Sequence, residues 1–430
     1  MNKINEEFLH FLWKNQKLAG ISIISSDKQN IRVLDPGYHN VDSGPDFFNA
    51  RVEIDGTLWA GNVELHINAS DWLKHGHKED AAYDSVILHV VYFNDCEITR
   101  ANGSKIPAAI LRFPGLLWNS YLDLMKNKKK IPCQEFLHMI EPLHFAQWTS
   151  ALMVQKLMEK SEILARNMKD LHAHWDAMLS RSIFRSFGIP VNTTPFEILS
   201  LLAPYPLLLR NKHDLFSLES ILFGLAGMLD NVLPHDKYTE GLKHEFARHH
   251  GKLGEKRVPQ QSWKYLRMRP SSFPSLRIAL LSALIHCRYP MHEELMAMPG
   301  IEELLKGLKI RAGDYWNTHF QLGKESENSL KYIGTNFARS ILINAIAPYV
   351  FYFGKMNKKD RFCDYGIHLL EGLPAEDNTI IKNWGKFGIK CSSAFESQAI
   401  LYLHRNYCLQ KRCLECQFGN NMILDGQKKK

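Results

Sequence analysis

The chain has 430 residues, 45% of them apolar and 23% charged, so it can bury more than one core and has the balance of an ordinary soluble globular protein. Its net charge of +8 permits a nucleic-acid partner without demanding one, and no apolar run has the length of a membrane span. The opening MNKINEEFLHFLWKNQ holds two glutamates and no signal-peptide cleavage pattern, which points to a cytoplasmic protein without membrane association; its eight cysteines then read as thiols or metal ligands rather than disulfides.

Asn5 to Lys17 reads as a first helix, with Ile4, Phe8, Phe11 and Leu12 on one face. Glu6 falls nearly opposite that face and Glu7 on its flank. Ile31 to Leu34 is a short strand before the turn Asp35-Pro36-Gly37. Phe47 to Ile54 reads as a strand, Asp55-Gly56 as a tight hairpin turn, and Thr57 to Ile67 as the returning strand. Ser70 ahead of Asp71 and Trp72 marks a helix start. Val86 to Tyr92 is a short apolar run of buried-strand type, and Ile106 to Phe113 adds a strand at the edge.

Acids and histidines crowd this stretch: Asp46, Glu64, His66, Asp71, His75, His77, Asp80 and His89. Glu64 and His66 are two apart on one strand and so share a face. Asp46 sits at the mouth of the partner strand. A carboxylate there and a Glu-x-His on its neighbour can share one divalent cation; oxygen ligands suit Mg²⁺ or Mn²⁺, and added imidazoles move the preference toward Mn²⁺ or Zn²⁺. Asp46, Glu64 and His66 form the inner group, with His75, His77 and Asp80 as outer candidates. His66, His75, His77 and Asp80 are also a complete zinc-hydrolase set. His89, in a buried strand, is read as a core hydrogen-bonding group.

Pro45-Asp46 and Glu64-Leu65-His66 around a hairpin resemble the signature of the restriction-endonuclease-like PD-(D/E)XK nucleases, with His66 where that superfamily has lysine. Lys74 and Lys78 are candidates to supply the lysine from elsewhere. The resemblance implies a metal-dependent nuclease, with Asp46 and Glu64 as metal ligands and a further glutamate from the first helix, for which Glu7 is the better placed. Over its whole length the chain also resembles an uncharacterised bacterial family, domain of unknown function 2851, through GPDF (44–47), GNVELHI (61–67), HGHKEDAAYDSVILHVVY (75–92), RMRPSSFPSLRIA (267–279) and YCLQKRCLEC (407–416). That family name implies no activity.

The lysine run from Lys126 to Lys130 marks a connector. From Pro142 onward the chain reads as helices punctuated by Pro and Gly: His144 to Lys169, Leu171 to Phe187, Pro195 to Ala203, Leu215 to Met228, and an apolar helix from Gly334 to Phe353 interrupted at Pro348. His172, His174, His235, His249 and His250 lack ligand-like spacing. Arg267, Arg269 and Arg277 lie near Trp263, Tyr265 and Phe273, a combination that holds a phosphate and stacks a base, or pairs with acids at an interface. The segment with Asp314-Tyr315-Trp316 carries no assigned role.

Cys391, Cys408, Cys413 and Cys416 close the chain. Four thiolates are the full complement for Zn²⁺ or a [4Fe–4S] cluster. Helical iron–sulfur modules attached to nucleases and glycosylases offer an analogy with different spacings. The expected architecture is α+β: a small N-terminal mixed α/β nuclease-like sheet (1–125), a large all-helical region (126–390) and a C-terminal cysteine segment (391–430). The functions in play are a metal-dependent nuclease, a non-catalytic nucleic-acid- or protein-binding scaffold, and a zinc-dependent hydrolase. Substrate and oligomeric state are not written in the sequence.

Overall fold

The computed structural model describes residues 4–16, 20–170, 174–230, 236–253 and 255–425. Lys17, His172 and His235 lie outside the described residues. The N-terminal part runs α1 (Glu6–Lys14), β1 (Ser22–Ser25), β2 (Ile31–Asp35), β3 (Tyr38–His39), β4 (Phe47–Ile54), β5 (Thr57–Asn68), α2 (Asp71–Lys74), β6 (Val86–Phe93), β7 (Ala108–Arg112) and α3 (Gly115–Lys126).

Its strands form one sheet in the order β1-β7-β6-β5-β4-β2, with β3 paired to β4. The β4–β5 hairpin turns at Asp55 (φ +47°) and Gly56 (φ +80°), both left-handed as a tight hairpin requires. β6 returns parallel to β5, and β7 parallel to β6. A Cβ on Gly61 would stand 2.4 Å from Ile87 Cγ2, so only glycine lets β5 pass this close to the start of β6. β7 is interior, and the edge is β1, a short strand that carries no sequence signal of its own. Two register shifts flank the middle of β5: one in β4 between Phe47 and Ala50, where Asn49 has φ +58°, and one between Asn62 and Val63. Bulges of this kind bend a strand end and re-aim the side chains beyond it.

α1 begins at Asn5, whose side chain accepts from the Phe8 N–H at 3.1 Å. It buries Phe8, Leu9, Phe11, Leu12 and Trp13. Beyond β5, Trp72 and Tyr83 pack with Val86, Val91, Ile98 and Ile106 in a buried cluster.

The chain divides into two compact units, Met1–Phe145 with Leu403–Lys430, and Ala146–Tyr402. The lysine run therefore lies inside the first unit, and Cys391 lies in a different unit from Cys408, Cys413 and Cys416. The second unit is built on helices that are buried all round, mostly apolar with single polar residues such as Glu219 and Ser282 among them. Every residue from Ser217 to Leu225, and from Ile278 to Ile285, is buried. It is not wholly helical: His319–Gln321 and Lys324–Glu325 form a small hairpin, turned at Gly323 (φ +71°), whose N–H donates to the Tyr315 hydroxyl at 2.9 Å. The expected break at Pro348 is a π turn over Leu342–Ile346, which lets proline enter near the start of Ala347–Met356. The run Thr335–Met356 is long and apolar enough to cross a membrane, but 78% of its apolar 18-residue stretch is buried inside the protein.

Candidate functional site

Asp46 is presented by a loop that one side chain organises. The Asn40 amide donates to the carbonyls of Asp42 (3.0 Å), Ser43 (3.2 Å) and Pro45 (3.1 Å), and its backbone N–H donates to the Asp46 carbonyl at 2.7 Å. Asp46 and Glu64 then lock across the hairpin. The Asp46 N–H donates to Glu64 Oε2 at 3.0 Å, and the Leu65 N–H donates to Asp46 Oδ2 at 2.9 Å. Each carboxylate keeps its other oxygen for something else.

Histidines surround this pair. His77 Nε2 lies 3.2 Å and His66 Nε2 3.7 Å from Glu64 Oε1, and His10 Nε2 lies 3.2 Å from Asp46 Oδ2. One ring nitrogen each from His66, His75 and His77 lies within 4.8 Å of the others. His66 Nδ1 is 2.9 Å from His89 Nε2, its Nε2 is 3.1 Å from His75 Nδ1, and His10 Nδ1 is 3.3 Å from His39 Nε2. Trp72 and Tyr83 wall the group, with the Tyr83 ring stacked on His77 at 3.8 Å.

The Nε2 atoms of His10 and His77 are buried and, despite their nearby carboxylates, have no hydrogen bond; His89 Nδ1 has none either. Buried polar atoms are rarely left so. A nitrogen and an oxygen about 3 Å apart without hydrogen-bond alignment have the spacing of two ligands about 2.1 Å from one ion.

The charges point the same way. Burial, then the Asp46 charge, pushes Glu64 well above the carboxylate range. Burial also raises Glu6, with Asp46 and Asp71 adding to the rise while His75 and His10 oppose it. Burial, then His89, His77 and His75, drives His66 down to about 2, and burial drives His89 down to about 3. The His66 and His89 rings are thus neutral, the form that ligates a metal. A His66 tautomer with its proton on Nδ1 would donate to His89 Nε2 and leave the Nε2 lone pair toward Glu64 and His75, the usual way a second histidine or carbonyl orients a ligand.

The structure brings Asp46, Glu64, His66, His75 and His77 together. Asp80 is exposed and caps the next turn by accepting from the Ala82 N–H at 2.9 Å. Lys74 is bound to Asp71 at 2.6 Å, and Lys78 is exposed, so neither stands in the lysine position. Asp71 anchors the crossover: burial raises its pKa, but hydrogen bonds from Lys74 and from Asn68 outweigh that and hold it at about 2. On α1 the placement of the two glutamates is the reverse of the expectation. Glu7 is exposed and its charge is felt at Tyr121, whereas half-buried Glu6 is felt by Glu64.

His10, Glu6, Asn40 and His39 were not read from the sequence as site residues. The available signal was Glu6 and His10 at i and i+4, one face of a helix. Arg267 and Arg269 are exposed in the second unit, while Arg277 lies over the Phe337 ring at 3.3 Å, its guanidinium held down to about 10 by burial. Trp263 is buried and donates to the Ala226 carbonyl at 2.8 Å, so it offers no stacking face. The Cys391 thiol is raised by burial and then by Glu396, with no contribution from the other cysteines.

Residues 6–379 match the family described as "Protein of unknown function (DUF2851)". No curated protein matches, and no solved structure matches.

Proposed function

The chain belongs to this family of unknown function, and we propose that its N-terminal unit is a metal-dependent nuclease that cleaves nucleic-acid phosphodiesters. The observation that carries the reading is the Asp46–Glu64 pair, cross-bonded over the hairpin and faced by ring nitrogens that lack hydrogen bonds. The order helix, strand, hairpin, crossover, parallel strand supports it, as that is the order the nuclease resemblance implies. So does Glu6, a carboxylate of the first helix whose charge raises Glu64.

The residues present fit a divalent cation. Asp46 and Glu64 supply oxygen, and His66, His75 and His77 supply nitrogen, a set that favours Mn²⁺ or Zn²⁺ over Mg²⁺. When bound, such an ion polarises the phosphate and lowers the pKa of a bound water. Glu64 would hold the ion as a carboxylate, because its raised pKa reflects burial and a neighbouring charge that a cation would cancel. His66 replaces the lysine as a neutral ligand oriented by His89, not as a cation. His10, with its buried Nε2 at 3.2 Å from Asp46, is a candidate to take a proton from water beside that carboxylate.

The test is incubation of the protein with single- and double-stranded DNA and RNA in Mn²⁺, Mg²⁺ or Zn²⁺. Cleavage in Mn²⁺ that disappears in Glu64→Gln supports the reading; no cleavage of any of these polymers overturns it. A second reading, a zinc hydrolase acting on other substrates, is favoured by the compact His66–His75–His77 group. It predicts that His75→Ala costs more activity than Asp46→Asn, and the nuclease reading predicts the reverse.

A further inference from the structure

The C-terminal cysteines belong to a built loop. Cys408 ends a π turn over His404–Cys408, and the chain then folds back through Lys411 N–H to Cys408 O (3.2 Å), Arg412 N–H to Tyr407 O (2.9 Å) and Cys416 N–H to Cys413 O (3.3 Å). Lys411 takes φ +54° to make this turn, and its ammonium donates to the Met125 carbonyl at the end of α3. The following helix, Gln417–Asp425, closes down on the loop. A Cβ on Gly419 would stand 2.3 Å from the Cys413 carbonyl oxygen. The Asn420 amide, with its nitrogen turned to the loop, donates to the carbonyls of Cys413 (3.2 Å), Leu414 (2.8 Å) and Cys416 (3.3 Å).

The fourth member comes from 275 residues earlier in sequence than Cys408. Cys133 sits just past α3, in a turn held by the Asn127 amide on the Pro132 carbonyl at 2.8 Å. Cys133, Cys408, Cys413 and Cys416 are all buried, at 6%, 8%, 7% and 5% exposure. Burial raises the Cys133 thiol first, then the Cys416 and Cys413 charges; burial raises Cys408 first, then Cys416, Cys133 and Cys413. All four lie in the first unit, whereas Cys391 lies in the second.

We propose that Cys133, Cys408, Cys413 and Cys416 are the four thiolate ligands of one metal centre, a [4Fe–4S] cluster or a zinc ion, that fastens the C-terminal segment to the N-terminal part of the first unit. Four cysteine thiolates are the complete ligand set for either. The centre replaces a metal-free pocket of neutral thiols with a cross-link between chain segments on either side of the second unit, and cross-links closing long loops constrain the unfolded chain most.

The experiment is iron, zinc and acid-labile sulfide analysis of the full chain, purified without oxygen, beside Cys133→Ser and Cys391→Ser. The expected result is either about four irons and four sulfides per chain with a broad visible absorption, or about one zinc without sulfide, lost in Cys133→Ser and retained in Cys391→Ser. Thiol alkylation of the wild-type protein gives a second readout that needs no variant. Cys133, Cys408, Cys413 and Cys416 should be protected together until the metal is stripped, while exposed Cys287 reacts at once. Absence of both metals, or a metal lost with Cys391 and kept without Cys133, would each overturn the proposal.

Discussion

Among the described residues two glutamates are buried almost completely, Glu64 in the sheet unit and Glu219 in the helical unit, at 4% and 2% exposure. Their surroundings differ. Glu219 accepts from Trp316 Nε1 at 2.9 Å and from the Tyr238 hydroxyl, inside a stack where the Tyr315 hydroxyl donates to Asp236 at 2.7 Å. Its donors have their acceptor and its acceptor has its donors. Glu64 instead faces a second acid and ring nitrogens without hydrogen bonds. A satisfied buried acid specifies packing; an unsatisfied group of donors is arranged for an atom the chain does not supply.

Substitution should separate the two most sharply at Glu64. Glu64→Gln keeps the shape and removes the charge a cation needs, so metal-dependent cleavage should fall by about a thousandfold, several kcal/mol of transition-state stabilisation, while the Tm of the metal-free protein holds, because Glu64 is protonated there and glutamine has the same neutral shape. A Tm loss with activity intact would reverse the assignment of the two acids.

At Glu219 the effects should trade places. Glu219→Leu deprives Tyr238 and Trp316 of their acceptor and should cost about 3 kcal/mol of stability in denaturant titration, at roughly 1–3 kcal/mol for each stranded donor. Mn²⁺ affinity of the folded protein should not change; a loss there would tie this network to the site.

His89 sits between these extremes, since it touches His66 and not the metal position. His89→Ala should weaken Mn²⁺ binding about 10–100-fold, the usual cost of losing a ligand's orienting partner. Calorimetric titration checks it, and unchanged affinity would show that His66 needs no orientation.

The smallest effect is a pH slope. Burial, against hydrogen bonds from Tyr238 and Trp316, lifts Glu219 to about 7 from the unfolded value of 4.5. The folded state therefore binds the proton more tightly. The stabilisation from that proton is complete below about pH 4.5 and is lost as pH rises toward 7. Thermal melts between these values should show wild-type stability declining relative to Glu219→Gln; parallel curves would contradict the raised pKa.

The site's centre was legible because a strand has period two. Glu64-x-His66, the Asp55-Gly56 turn and Pro45-Asp46 place three groups with no need of long-range information. α1 was misread through its buried arc. Counting Ile4, Phe8, Phe11 and Leu12 favoured Glu7, but Leu9 and Trp13 are buried too and swing the arc toward Glu6 and His10. Asn40 gave no signal, since an asparagine in a turn usually bonds only its own neighbours. Cys391 was grouped with the last three cysteines because it is near them in sequence. Cys133 is near them in the fold, and a return of the chain across a whole second unit leaves no periodic trace.

The central claim is that Asp46, Glu64, His66, His75 and His77 form one divalent-metal site. Anomalous diffraction from crystals of the protein soaked in Mn²⁺, recorded at the manganese edge, tests it most directly. A single peak about 2.0–2.4 Å from a Glu64 oxygen and from ring nitrogens of the histidine group is the predicted result. Manganese bound elsewhere, with no peak between Glu64 and these histidines, would contradict it.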